Sequence, residues 1–125
     1  QSKSIHFPMI QKSQTDLYLL GWGVPTFDSH YIFSFLYHTR TDKIGGWNGT
    51  RYSNPEVDKL TASLESETDL KKRDATIAEL WKTLHDEAIY IPLHIQTLAY
   101  GMKKDVNIDV DISNSPKMKL STVGK

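Results

Sequence analysis

The run Tyr52-Ser53-Asn54-Pro55-Glu56-Val57-Asp58-Lys59-Leu60 constrains the fold more than any other stretch of the chain. Asn54 can accept from the unbonded N–H groups of a first helical turn, and Pro55 suits the first helical position, where no donor is needed. Glu56 and Asp58 complement the positive end of the same helix. Val57, Leu60 and Leu64 then recur on one face at a helical period. A second helix repeats this grammar, with Thr68 or Asp69 as cap and Leu70, Ile77, Trp81, Leu84 and Ala88 as its apolar stripe. At Ile89 the pattern changes. Ile89-Tyr90-Ile91-Pro92-Leu93 reads as a strand or crossover, in which Pro92 cannot donate to a ladder.

Upstream of the helix pair, residues 1–15 are polar with scattered apolar positions and predict a weak edge strand or an irregular lead-in, interrupted by Pro8. Asp16 to Trp22 predicts a buried strand, since Leu17, Leu19 and Leu20 leave little room for a wet face. Gly21-Trp22-Gly23-Val24-Pro25-Thr26 ends it in a turn. Asp28 or Ser29 then caps a helix through about Tyr37, with Tyr31, Ile32, Phe35 and Leu36 on the buried side. Residues 39–53 form a glycine-containing loop. Downstream of the exit, Val106, Ile108, Val110 and Ile112 alternate with polar residues, a half-buried strand signal. The class expected is α/β, or α+β by segregation of its elements.

Charge and composition exclude several functions. Lys+Arg and Asp+Glu are 15 each, so the chain lacks the basic excess of a nucleic-acid binder. Lys71-Lys72-Arg73 reads as a solvated helix face. No apolar run approaches the length of a membrane span. Cysteine is absent, which suits an exported protein as well as many cytosolic ones. There is no Gly-x-Ser-x-Gly elbow, no phosphate-cradling glycine loop and no cysteine nucleophile, so no enzyme and no cofactor are expected. The chain opens on Gln1 with no basic and apolar leader pattern, and reads as a piece of a longer protein.

The aromatic segment ending in Gly21-Trp22, the capped helix pair with Asp69 and Arg73, and the Ile91-Pro92-Leu93 exit occur in an order that resembles one family. It is similar to the C-terminal part of the large extracellular solute-binding proteins of ABC importers, the dipeptide-, oligopeptide- and nickel-binding group (family 5). The resemblance runs from Leu17 to Val106 and implies a two-lobed periplasmic binding protein. Residues 1–91 would then belong to the second ligand-binding lobe. Residues 92–125 would be the hinge crossing and a C-terminal segment returning toward the first lobe. The implied function is capture of small peptides or a similar polar solute for delivery to a membrane permease. The implied partners are that ligand, the permease and the N-terminal part of the same protein, with self-association where truncation exposes apolar surface.

The resemblance places Trp22 in the ligand cleft, where an aromatic ring offers contact area at low entropic cost. Gly23, Pro25, Asp28 and Trp47 complete the candidate ligand-binding set, Trp47 as a second cleft wall or a loop anchor. Peptide-binding members hold the ligand's free amine with an aspartate shortly after this Trp, and here Pro25 stands there instead. Asp28 lies further on, where capping the following helix is its expected work. An alternative is a nickel or metal-chelate binder, suggested by Trp22-Gly23-Val24-Pro25 with Asp28 and His30, and by the run from His85 to Pro92. His30 and His38 are too far apart in sequence to share a helix face as a ligand pair, so no metal ligands are assigned. From another class, the alternative is an enzyme or regulatory domain built on the same lobe.

Overall fold

The computed structural model describes residues 1–111, 113 and 115–124. Its elements are α1 (Lys3–Gln11), α2 (Ser29–Ile32), which runs directly into a π-helical turn (Phe33–Tyr37), α3 (Pro55–Ser63), α4 (Leu70–Asp86), β1 (Val106–Asn107) and β2 (Thr122–Val123). The result is a small mixed domain of helices and a short antiparallel sheet, compatible with the α+β class.

The helix pair forms as the sequence implies. The Asn54 side chain accepts from Glu56 N at 3.0 Å and Val57 N at 3.4 Å, with Pro55 in the first turn. Asp69 caps α4 by accepting from Lys71 N at 2.9 Å and Lys72 N at 3.2 Å. The Asn54 amide also donates to Glu87 at 3.2 Å, tying the start of α3 to the end of α4. Val57 and Leu64 meet Leu80 and Leu84, and the pair closes over Phe33, Leu36 and Tyr37 to make one core. Leu70 lies outside it and Ala88 falls just past the helix, at a positive φ of 50°. Trp81 is only partly covered. Its ring rests on Phe33, with centroids 4.8 Å apart, while Nε1 reaches Ser29 Oγ at 3.2 Å.

The π-helical turn changes which residues α2 buries. His38 N donates to Phe33 O at 2.8 Å, a five-residue span. The wider turn swings Phe33, Ser34, Leu36 and Tyr37 inward and leaves Phe35 38 % exposed, where a regular 3.6-residue period groups Phe35 with the buried side. It also frees carbonyls at the helix end. Gly45 N donates to Ser34 O at 2.9 Å and Trp47 N to Phe35 O at 3.0 Å, so the loop folds back along the helix. Asn48, fully buried, then holds the loop together through His38 O, Tyr52 O, Tyr52 N and Thr50.

Residues 3–11 are helical, not a strand or irregular lead-in. Pro8 lies inside and removes one internal bond, but tertiary contacts outweigh that loss. Ile10 is buried beside Gly49, Phe7 sets its ring edge-on to Trp47 at 5.2 Å, and Arg40 and Arg51 donate to Gln11 O at the helix end.

Three strand expectations are corrected. Asp16 to Trp22 bends at Asp16 and Leu17 and forms no strand, with Leu17 86 % and Leu19 65 % exposed. Ile89 to Leu93 likewise forms no ladder, and Ile91 and Leu93 are exposed. A strand exists only against a neighbour, and no described residue supplies one to either segment. The alternating stretch from Val106 forms a two-residue strand, Val106 pairing with Val123 and Asn107 with Thr122. Val110 makes an isolated bridge to Pro116, and Ile112 lies outside the described residues. No described helix is long and apolar enough to cross a membrane.

Candidate functional site

The sequence candidates gather around α2. Trp22 is half-buried at the end of the extended segment that precedes it. That segment is tethered to the stretch after α4 by the Tyr18 and Tyr90 hydroxyls, 3.0 Å apart. Burial, helped by the Tyr18 hydrogen bond, pushes the Tyr90 phenol far up, so it remains protonated. Beyond this tether the Trp22 ring meets Tyr31 at 6.1 Å, Phe35 at 6.1 Å and Trp47 edge-on at 6.0 Å. Tyr31 and Phe35, one helical turn apart, pack at 4.6 Å. Trp47 owes its place to the backbone bond it makes to the Phe35 carbonyl. The result is a continuous aromatic surface, to which Phe7 adds an outer edge through Trp47. The Trp22 indole N–H is closed off from solvent with no acceptor among the described residues. A buried donor left so costs on the order of 1–3 kcal/mol.

The remaining candidates have distinct settings. Gly23 and Pro25 are exposed beside the turn that Phe27 N closes onto Val24 O at 3.1 Å. Asp28 caps α2 by accepting from His30 N at 2.8 Å, and Arg73 of α4 donates to the same carboxylate oxygen at 2.9 Å. The Arg73 hydrogen bond holds the Asp28 carboxyl below its ordinary range, against the opposing effect of its partial burial. Asp28 is thus committed to a cap and an ion pair rather than open for a ligand amine. Arg73 corrects the sequence reading of a wholly solvated basic face: Lys71 and Lys72 are exposed, whereas Arg73 folds onto Asp28.

Two open grooves flank this surface. One, of about 340 Å³, is lined by Thr26, Asp28, His30, Tyr31, Phe35 and Arg73, with Ser34 beneath. The other, of about 530 Å³, shares His30, Ser34 and Phe35 and is walled by the Thr41–Gly46 loop and Glu65. His30 Nε2 lies 3.1 Å from Ser34 Oγ and 4.0 Å from Glu65. His38 is elsewhere, against the Thr39 carbonyl at 2.8 Å and Asp58 at 3.5 Å. His85 sits exposed beside Asp86. Among the described residues no three His, Cys, Asp or Glu side chains are grouped to hold a metal ion.

The helical period groups Tyr31 and Phe35 with the buried side, and their four-residue spacing after a cap is the signal that they share a face. Nothing local points to Arg73, which meets Asp28 across 45 positions. Compared with models of known protein families the chain matches none, and no curated protein matches it.

Proposed function

We propose that the chain is the C-terminal part of the second lobe of an exported, periplasmic solute-binding protein of an ABC importer, and that it captures small peptides or a similar polar solute for a membrane permease. In this reading it is not an enzyme and needs no cofactor. The observation that carries it is the aromatic surface at Trp22. Trp22, Tyr31, Phe35 and Trp47 are held side by side by the end of α2 and its returning loop, with Phe35 open to solvent. Such a surface suits one wall of a cleft that closes on a ligand when a facing lobe rotates onto it. The exposed apolar segments at Leu17–Leu19 and Ile91–Leu93 suit strands and crossovers whose partners lie in a larger protein.

The test uses the complete protein that carries this chain. Ligand binding is expected to change Trp22 fluorescence, and Trp22→Ala to weaken binding by about 1–3 kcal/mol, the scale of a central aromatic contact. A Trp22→Ala variant with unchanged affinity removes Trp22 from the site. Pro25 replaces the amine-holding aspartate, and Asp28 is engaged by Arg73. N-acetylated peptides are therefore expected to bind about as well as free ones. A preference for the free amine of roughly 2 kcal/mol or more, the worth of a charge-assisted bond, shows another carboxylate in that role.

A further inference from the structure

The larger groove shares Phe35 with the aromatic wall at Trp22 and adds charged residues to it. Phe35, 38 % exposed, and Ile44 supply its apolar lining, and Gly46 contributes no side chain. Its rim carries Asp42, Glu65 and Lys43, two acids and one base. Neither acid is paired with a lysine or arginine among the described residues, and Glu65 Oε1 lies 4.0 Å from His30 Nε2. In the adjoining groove Arg73 is neutralised by Asp28 at 2.9 Å, so it contributes no net field. Counting the carboxylates, Lys43 and Arg73 alone, the residues lining the two grooves carry one excess negative charge beside the Phe35 ring.

We infer that this groove binds a small organic ammonium ion, its charged head between Glu65 and Asp42 and its hydrocarbon body on Phe35. Three features favour that occupant. A volume of about 530 Å³ lies in the range of small-molecule sites, which run from roughly 300 to 1,000 Å³. An aromatic face attracts a cation through its quadrupole, and a carboxylate beside it adds a charge-assisted hydrogen bond. An anion meets the same rim with two repulsive charges against one attractive. The walls are fixed before the ligand arrives. Thr41 N donates to Ile44 O at 2.9 Å, the Thr41 hydroxyl accepts from Lys43 N and Ile44 N, each at 3.2 Å, and Gly45 N pins the loop to Ser34 O at 2.9 Å. This inference shares Phe35 with the aromatic wall of the transport reading but does not depend on that reading, because it is tested on a groove of this chain alone.

The experiment titrates the isotopically labelled 125-residue chain with 2-phenylethylammonium and, separately, with 3-phenylpropionate, an anion of similar shape, by nuclear magnetic resonance. The amine is expected to shift resonances of residues 30–35, 41–46 and Glu65, and the anion to leave them in place. Glu65→Gln is expected to weaken amine binding about tenfold, as loss of one charge-assisted contact implies. Its side chain is 65 % exposed, so the variant folds. Lys43→Gln is expected to strengthen amine binding several-fold by removing the rim's one cation. Equal binding of the anion, shifts confined to other residues, no binding of the amine, or unchanged affinity in Glu65→Gln each overturns the proposal.

Discussion

Asp28 shows how one side chain can be read correctly and incompletely. Its place before a helical run marks it as a cap, and it is one. Its second partner, Arg73, belongs to a helix formed far along the chain, so only the fold reveals it. Replacing Asp28 by Ala removes both roles and is expected to cost about 1–2 kcal/mol, mostly the cap, since a partly exposed ion pair adds little. Asp28→Asn keeps a capping oxygen and removes the charge, so its cost should be smaller and should depend on pH. The Arg73 bond depresses the folded-state pKa of Asp28. The pair's contribution is therefore present above the unfolded pKa, about 3.9, and is lost as pH falls through the lower folded value. Thermal melts of wild type and Asp28→Asn should differ at pH 6 and converge near pH 2. A gap that persists unchanged in acid contradicts the role assigned to the pair.

At the scale of elements, the capped helices α2, α3 and α4 are legible in the sequence, whereas α1, which has no side-chain cap and carries Pro8 inside, and the strands are not. Caps and helical periods are local, so Asn54, Pro55 and Asp69 announce α3 and α4 in advance. A strand is completed by a neighbour, and among the described residues neither Leu17–Leu20 nor Ile89–Leu93 has one. The candidate site was half visible for the same reason. Trp22 and Trp47 stand out beside glycines, whereas the π-helical turn that turns Phe35 outward and anchors Trp47 has no periodic signature. The turn relies on Gly45, whose φ of +73° is left-handed and whose position has no room for a side chain: an added Cβ falls 2.5 Å from His38 O. Gly45→Ala is expected to cost at least about 2 kcal/mol, combining left-handed strain with that collision. Chemical denaturation checks this, and the Trp emission should shift as Trp47 loses its anchor. A variant as stable as wild type contradicts the loop's dependence on this residue.

For the whole molecule, what stands out is apolar surface without a partner. Leu17, Leu19, Ile91, Leu93 and Ile95 are all exposed, Ile95 at 98 %, and the backbone around them makes no ladder. Such edges recruit other strands. Val106 and Asn107 already pair with β2, so the segment from Ile91 to Ile95 is the more open one for such a contact. The chain alone is expected to form dimers or larger species that dissociate on dilution, and Leu93→Lys or Ile95→Lys should shift it toward monomer. Sedimentation velocity at several concentrations decides this, a monomer throughout being the contrary result. On the proposed function the chain supplies one wall of a cleft, which buries too little of a ligand, so the chain alone should bind such a solute weakly. The most direct measurement is native mass spectrometry of the complete protein that carries this chain, purified from its own host without added ligand. A bound solute of small-peptide size, retained by wild type and lost from Trp22→Ala, is the expected result; a protein that carries no solute, or keeps it equally well without Trp22, contradicts the proposed function.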